Sequence, residues 1–280
     1  MSTVDLTASP GSGVHATPLP PRPAGSSRRR SGIVIALVVL GLVIYGWINV
    51  GGSLTDLING FFGSKGVIRS IVGPSLPPAS SAIGEGLTAS VTTFCIAFLS
   101  IVFGLVWSVA MLPWAARNLA PNRLCYEVAR GVQAILRAIP ELIMMLIFLI
   151  TVGITPFAAV VALSFHGIGV KGKLFAETVE EMDMGPVEAL RVAGASRTQV
   201  FLHAVLPGAR NTLLGLTLYR LDANFRSAVT LGAVGGGGIG FLINNQLNSF
   251  VFKAVATYLI IMVLWVLAIE RVSEMLRARL

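Results

Sequence analysis

Long apolar segments recur along this 280-residue chain, and the stretches that separate them are alternately rich and poor in arginine and lysine. The first segment, residues 32–50, carries no charged side chain over 19 residues and can cross about 30 Å of hydrocarbon. A helix satisfies its own backbone hydrogen bonds there without water. Only 12% of all residues are charged, against about 25% in soluble domains. The sequence therefore predicts an all-α integral membrane protein.

The chain begins with a polar stretch, residues 1–30, rich in Pro, Ser, Gly and Thr. This composition cannot bury enough apolar surface to fold, so we predict a disordered cytoplasmic tail. A signal peptide is the alternative for the run at 32–50, but that run exceeds the roughly 7–15 residues of a signal core. We assign residues 31–86 to a first membrane helix and an extracytoplasmic segment that contains an interfacial helix. The apolar positions that predict this interfacial helix are Leu54, Leu57, Ile58 and Phe61.

Five further membrane spans are predicted in residues 87–280, which form the core domain. They cover about residues 87–116, 131–151, 156–170, 208–231 and 251–269. Most of the 21 Lys and Arg residues fall in the tail or in alternate loops, as the positive-inside rule requires. Six spans with both termini in the cytoplasm satisfy this distribution. The net charge of +8 is then explained by topology and contact with membrane lipid, with no role for nucleic acid.

Two features are predicted within the third span, about residues 131–151. Pro140 is expected to kink it. Arg137 and Glu141 lie four residues apart, and a structural ion pair between them makes both charges tolerable near the cytoplasmic end.

The fifth span carries charged and amide side chains, which at membrane depth usually face a bundle interior or an aqueous cavity. At 100° per residue, Arg220 and Asn224 share one face, and Asp222 and Arg226 share nearly the opposite one. Asp222 and Arg226 are therefore predicted to form a buried structural ion pair. Arg220 has no carboxylate at helical pairing distance along the chain.

The sequence offers no catalytic, metal-binding or nucleotide-binding constellation. Its two cysteines are far apart, and its three histidines lack a companion nucleophile or the spacing of metal ligands. No G-x-x-x-x-G-K-[ST] loop occurs, so the chain cannot supply an ATPase site of its own. We predict that it is not an enzyme and that it holds no metal or cofactor.

A glycine-rich stretch follows the fifth span and matches G-x-G-x-x-G. A dinucleotide site needs a strand before these glycines, and here a membrane helix precedes them. We predict instead a flexible outer gate or a close-packed turn where bulky side chains do not fit. Its glycines are Gly235, Gly236, Gly237, Gly238 and Gly240.

The polar segment between the fourth and fifth spans, residues 178–207, carries the most functional information. An acidic run at 177–183 predicts a solvated helix face. Pro186 suits the first turn of a short helix, and Gly194 permits the positive φ that a sharp turn to a second short helix needs. The pair Leu206-Pro207 is expected to end the loop and open the next membrane helix.

The spacing of five residues in this segment resembles the cytoplasmic signature loop of ABC importer permeases. The matching residues are Glu188, Ala189, Gly194, Leu206 and Pro207. Leu190 and Ala204 depart from the family pattern without breaking its physical design. In that family the loop sits in a groove of the ATPase subunit and couples its motion to the membrane, so the resemblance implies an ATPase-coupling loop at 178–207.

Further motifs look like those of phosphonate-type ABC importer permeases, and this resemblance covers about residues 85–275. They lie at residues 139–142, 172–177, 219–226 and 231–235. The resemblance implies a type I permease bundle in the bacterial inner membrane. Its implied partners are a second copy of this chain, two copies of an ATPase that binds ATP and Mg²⁺, and an extracytoplasmic substrate-binding protein.

The implied cargo is a phosphonate or a related phosphorus oxyanion such as phosphite or phosphate. Arg220 and Asn224 are then expected to line the translocation path, because an arginine fork suits oxyanions and a two-fold axis doubles it. A purely structural role for both arginines remains an alternative. For the whole chain, the alternatives are an ABC permease for another small solute such as an amino acid, and an ATP-independent secondary transporter or channel.

Overall fold

The computed structural model describes residues 25–49, 51, 53–63, 72, 75–76 and 78–279, and all regular structure within them is helical. The prediction of an all-α protein is confirmed. The chain divides into two compact units, one that ends at Gly63 and one that begins at Ser64.

The first unit contains two described helices, α1 (Gly25–Asn49) and α2 (Leu54–Phe62). The sequence predicts a disordered tail up to residue 30, yet α1 already begins at Gly25, because no proline follows Pro23 in this stretch and arginine is a good helix former. The rest of the predicted tail lies outside the described residues. The predicted short helix is found as α2, whose N-terminus is capped by Ser53 through a hydrogen bond from the backbone N–H of Asp56 at 3.2 Å.

The second unit contains the remaining helices, which we number α3 to α11 in chain order. They are α3 (Ile83–Ala115), α4 (Arg123–Ala138), α5 (Glu141–Val152), α6 (Pro156–Glu181), α7 (Gly185–Val192), α8 (Arg197–Val200), α9 (Leu206–Leu231), α10 (Gly238–Asn248) and α11 (Phe252–Arg277). One π turn joins α8 to α9 (Phe201–Val205), and another follows α9 (Gly232–Gly236).

Among all the described helices, four are long and apolar enough to cross a membrane. They are α1 in the first unit and α3, α6 and α11 in the second. Two bent arrangements also qualify when each is counted as one span. The first is α4 with α5, bent by 90°, and the second is the continuous helix from Arg197 to Gly236 with α10, bent by 57°. The described residues therefore reach the predicted number of six spans when both bent pairs are counted. The cytoplasmic location of the termini stays a prediction.

The predicted third span is broken, and not merely kinked, at Pro140. Ile139 is extended, with φ −80° and ψ 119°, because a residue before proline is pushed out of the helical region. Pro140 itself has no N–H to continue the helical ladder. The chain therefore turns by 90° between α4 and α5.

The predicted fourth span is too short, because α6 continues without a break from Pro156 to Glu181. Lys171, expected in a cytoplasmic loop, lies inside this helix and is only 1% exposed. Its ammonium nitrogen donates to the carbonyl oxygen of Ile101 in α3 at 2.9 Å. Gly104 makes room for it, since a Cβ at that position would lie 2.6 Å from the nitrogen.

Three helices, α3, α6 and α9, pack together at the centre of the second unit. Ala97 of α3 and Ala158, Ala159 and Ala162 of α6 are fully buried in this contact. Small residues let membrane helices approach closely and gain van der Waals contact. Phe225 of α9 completes the same apolar cluster.

The glycine-rich stretch forms a close-packed turn. Gly235 and Gly237 take φ values of 122° and 75°, a region that other residues rarely adopt. Beyond them, the backbone N–H of Ile239 donates to Oγ1 of Thr93 in α3 at 2.9 Å, which attaches the turn to the bundle. The structure thus shows the packed alternative of the two predicted forms, and a role as an outer gate stays a prediction.

Gly240→Ala is expected to destabilise the second unit, because a Cβ at this position would overlap the carbonyl oxygen of Val229. We expect a loss of about 1–3 kcal/mol in the free energy of unfolding. Gly84→Ala is the matched control, since nothing lies within 4 Å of its added Cβ. Thermal unfolding of the detergent-solubilised protein measures both, and equal stability of the two variants would contradict the close packing.

Candidate functional site

The polar segment between α6 and α9 folds as two short helices joined by a glycine turn. Pro186 lies in the first turn of α7. Gly194 follows that helix with a φ of 79°. Ser196 and Gln199 then form a capping box at the start of α8, in which each side chain accepts a hydrogen bond from the other residue's backbone N–H. The predicted helix, glycine turn and second helix are confirmed.

The pair Leu206-Pro207 opens the membrane helix α9, as the sequence predicts, but no break in the helix separates α9 from the loop. α8 continues through its π turn into α9, and Pro207 lies in the first turn of α9, where its missing N–H does not interrupt the helix. The second loop helix and the membrane helix therefore form one continuous helix from Arg197 to Leu231. A displacement of α8 must move α9 with it.

The loop has a buried face and an exposed face. Val187 and Val200 are buried in an apolar cluster with the ends of α3 and α6. Glu188 and Ala189 are exposed, as a residue that contacts a partner must be. Val192 is 90% exposed, and the sequence pattern did not identify it, although an apolar side chain at the end of a polar helix is the signal that could have done so.

Asn118, in the turn between α3 and α4, connects the loop to the membrane helices. Its side-chain amide donates to the carbonyl oxygen of Val179 in α6 at 2.8 Å. Its backbone carbonyl accepts a hydrogen bond from the guanidinium of Arg191 in α7 at 3.2 Å. Asn118 was not predicted, because its partners lie 61 and 73 positions away in the sequence.

Glu180, near the end of α6, is held by two donors. Its Oε1 accepts from the guanidinium of Arg130 in α4 at 2.9 Å and from the backbone N–H of Arg117 at 2.8 Å. The prediction of a solvated acidic face is therefore wrong for Glu180. Glu177 is half-exposed and pairs with Lys173 at 3.4 Å, one helical turn away.

The polar residues of α9 lie on two faces of the helix. Asp222 and Arg226 form the predicted ion pair, but it is only partly buried, because the Arg226 side chain is 60% exposed and that of Asp222 is 21% exposed. On the other side, the amide of Asn224 donates to Oγ of Ser100 in α3 at 2.9 Å. The Nε of Arg220 is buried and has no hydrogen-bond partner among the described residues. Arg220 thus faces the interior of the bundle, and Arg226 faces away from it.

The predicted ion pair between Arg137 and Glu141 is absent from the described part of the chain. The break before Glu141 places the two residues on helices that are bent by 90°, so the i, i+4 relation does not apply. Glu141 instead accepts a hydrogen bond from the hydroxyl of Ser227 in α9 at 2.8 Å. This bond connects α5 to α9.

Comparison with known protein families identifies the class of protein. Residues 110–280 match the family described as binding-protein-dependent transport system inner membrane component. The match includes α7 to α9 and therefore both the signature loop and the charged membrane helix. The chain belongs to this family.

Individual relatives carry names that refer to phosphorus oxyanions. The chain is 36% identical over 241 residues to the phosphite transport system permease protein PtxC of Stutzerimonas stutzeri, which covers 86% of each chain. It is 31% identical over 253 residues to the putative phosphite transport system permease protein HtxC of the same organism, covering 90% of this chain and 88% of that protein. The phosphate-import permease protein PhnE of Mycolicibacterium smegmatis is 36% identical over 78% of this chain, which corresponds to 41% of that longer protein. The resemblance to phosphonate-type permeases is confirmed.

Solved structures of ABC importers share the fold. The MetNI methionine ABC transporter in an inward-facing conformation matches with a TM-score of 0.63 at 23% identity, over 72% of this chain and 98% of the other. An amino acid ABC transporter matches with a TM-score of 0.58 at 17% identity, over 70% and 94%. The predicted type I permease fold is confirmed.

Glu180→Ala is expected to lower the free energy of unfolding by about 1–3 kcal/mol, because it leaves the guanidinium of Arg130 and the N–H of Arg117 without their acceptor. Glu177→Ala is the matched control on the same helix. Its half-exposed pair with Lys173 contributes about 0.5 kcal/mol or less. Thermal unfolding of both variants measures the difference. An equal loss of free energy of unfolding in the two variants would mean that Glu180 contributes no more to stability than a surface ion pair does.

Proposed function

We propose that this chain is the transmembrane permease of an ATP-driven importer for a phosphorus oxyanion such as phosphite, phosphate or a phosphonate. The observation that carries the proposal is the 36% identity to a phosphite transport permease over 86% of both chains. Import of an amino acid is the second candidate, because relatives named for methionine transport also match. Those relatives cover only 61% and 54% of this chain, which favours the oxyanion.

The family match and the fold shared with ABC importers support the other subunits of this complex. We infer two copies of an ABC ATPase that bind ATP and Mg²⁺. An extracytoplasmic binding protein delivers the cargo and selects it. Two copies of this chain enclose the path between them. The exposed face of α7 at Glu188, Ala189 and Val192 supports contact with the ATPase.

The geometry of the loop suggests how ATPase motion reaches the membrane. A displacement of α7 and α8 is transmitted directly to α9, because α8 and α9 form one continuous helix. The same displacement reaches α3 and α6 through Asn118, which binds both Arg191 and Val179. The three central helices of the bundle therefore respond together, as alternating access requires.

Cationic side chains within the bundle support an anionic cargo. An anion at membrane depth needs compensating positive charge, and such residues mark substrate pathways. Lys171 of α6 and Arg220 of α9 lie on the side of the bundle interior, and Arg226 lies on the exposed face of α9. Arginine binds phosphorus oxyanions through parallel N–H donors.

Uptake by the reconstituted complex tests the cargo. Proteoliposomes that contain this permease, its ATPase and its binding protein receive radiolabelled phosphite, phosphate or methylphosphonate, with methionine as the amino-acid alternative. We expect ATP-dependent accumulation of at least one of the three oxyanions and none of methionine. Uptake of methionine alone would favour the second candidate, and uptake without ATP would indicate an ATP-independent transporter or channel.

Glu188→Ala and Gly194→Pro are expected to lower ATP-driven uptake about tenfold or more while the protein still inserts, which corresponds to about 1.4 kcal/mol of lost coupling. The first removes an exposed carboxylate that the ATPase can bind. The second cannot adopt the φ of 79° and loses the hydrogen bond from the Gly194 N–H to Arg191.

Two control variants separate coupling from general damage. Glu127→Ala removes an exposed carboxylate elsewhere on the protein. Gly194→Asn keeps the turn, because asparagine tolerates positive φ and nothing lies within 4 Å of its Cβ. Both should retain uptake. Full uptake and substrate-stimulated ATP hydrolysis in Glu188→Ala and Gly194→Pro would rule out the coupling role.

A further inference from the structure

A row of polar and small residues runs along one face of α9 and points away from the bundle. These residues recur every three or four positions, so they lie one above another on the helix. We call this row the polar stripe; it consists of Thr212, Gly215, Tyr219, Asp222, Arg226 and Thr230. All six are exposed or half-exposed, and the Arg226 side chain is 60% exposed. The other helices of the second unit therefore leave this face of α9 uncovered.

The other membrane helices expose a different surface. The outer face of α11 is apolar, with Leu259, Ile260, Val263, Leu264 and Leu267 all exposed. The outer faces of α3 and α5 are likewise rich in Leu, Ile, Val and Phe. Such side chains suit lipid tails, whereas an aspartate and an arginine do not. The polar stripe must face something other than lipid.

The depth of the stripe follows from one hydrogen bond. Asn224 of α9 donates to Ser100, which lies near the middle of the 33-residue helix α3. Asp222 and Arg226 are two residues to either side of Asn224, within one helical turn. The exposed ion pair therefore lies at mid-height of a helix long enough to span the bilayer, and not at the level of the lipid headgroups.

Arg220 lies on the other side of α9, which packs against the bundle. Its Nε is buried and lacks a hydrogen-bond partner among the described residues. Glu141 and Lys171 of the same protomer interact electrostatically with it. Arg220 therefore lies on the side of α9 that packs against the bundle, and the polar stripe lies on the other side.

We propose that the polar stripe is the wall that each copy of this chain contributes to the translocation path, and that Arg226 is the side chain that meets the oxyanion. This inference rests on the proposed function, and it places Arg226 on the path instead of Arg220. Two copies related by a two-fold axis bring two stripes face to face. Gly215 permits close approach of the backbones, and the polar side chains line a hydrated space.

The ion pair with Asp222 suits a transient contact. A guanidinium has five N–H donors, and the structure shows one hydrogen bond from Arg226 to Asp222. The other donors of this largely exposed group remain available to a passing anion. Because Asp222 offsets the positive charge, the anion is held weakly enough to leave, which transport requires.

Uptake kinetics of the complete reconstituted transporter test Arg226 directly. Using the oxyanion among phosphite, phosphate and methylphosphonate that the wild type accumulates, we expect Arg226→Gln to lower the initial rate per folded complex about tenfold or more. Arg226→Lys should recover part of the loss, because it restores the charge without the fork. Arg271→Gln is the matched control, because its side chain is 81% exposed near the end of α11, and it should stay within about twofold of wild type per folded complex. An Arg226→Gln transporter within about twofold of wild type would overturn the role of Arg226.

A second measurement tests the wall without any cargo. Cysteine is introduced at Tyr219 or Thr230 of the stripe, or at Leu264 on the apolar face of α11, after Cys95 and Cys125 are changed to serine. A charged methanethiosulfonate reagent should modify both stripe positions about tenfold faster than Leu264→Cys, because the thiolate that reacts forms only in water. Gly215→Cys should cross-link two copies in the intact complex.

The outcomes of these two tests are distinguishable. Failure of the wild type to accumulate any of the three oxyanions overturns the proposed cargo, while the accessibility of the stripe still reports on the wall. Stripe cysteines that react no faster than Leu264→Cys overturn the wall itself, even when Arg226→Gln fails to fold.

Discussion

Hydrocarbon cannot solvate a polar group, and this constraint determines where each charged side chain of the bundle lies. Lys171 directs its ammonium to the Ile101 carbonyl, in the space left by Gly104. Asn224 binds Ser100, and Glu141 accepts from Ser227. Each of these bonds joins two helices, so the polar groups that the membrane penalises also define the register of α3, α5, α6 and α9. Arg226 pairs with Asp222 on the face of α9 that the second unit leaves exposed, so the two sides of this helix lie in different environments.

The helix α9 connects the polar loop, the glycine turn and the central bundle. At its N-terminal end it continues from α8, and at its C-terminal end it enters the glycine turn that is attached to Thr93. Its buried side packs on α3, α6 and α11. The helix is thus continuous with the loop at one end and hydrogen-bonded to α3 beyond the other. Under the proposed function, this continuity lets α8 transmit a displacement of the loop to the membrane residues of α9.

Features that depend on neighbouring residues could be predicted from the sequence. The loop helices were predictable because Pro186, Gly194 and Ser196 act within one turn, and most spans because the length of an apolar run is a local property. Features that depend on distant residues could not. The burial of Lys171 requires Ile101, 70 positions earlier, and Glu180 is bound by Arg130, 50 positions earlier. The two faces of α9 were separated by helical periodicity, but periodicity does not say which face the rest of the bundle covers. The structure reversed the expected burial of Arg226 for this reason.

The weak cationic character of the polar stripe bears on how selectivity divides between subunits. An arginine whose charge is offset by Asp222 cannot discriminate strongly among small oxyanions, because all of them present similar oxygens to the same donors. Tight recognition at this point would also slow release. Under the proposed function, discrimination therefore belongs to the binding protein, which can enclose the cargo and release it only on docking. The permease then needs only to accept an anion and exclude lipid. The pair of Asp222 and Arg226, on a helix face of otherwise small and polar residues, meets both requirements.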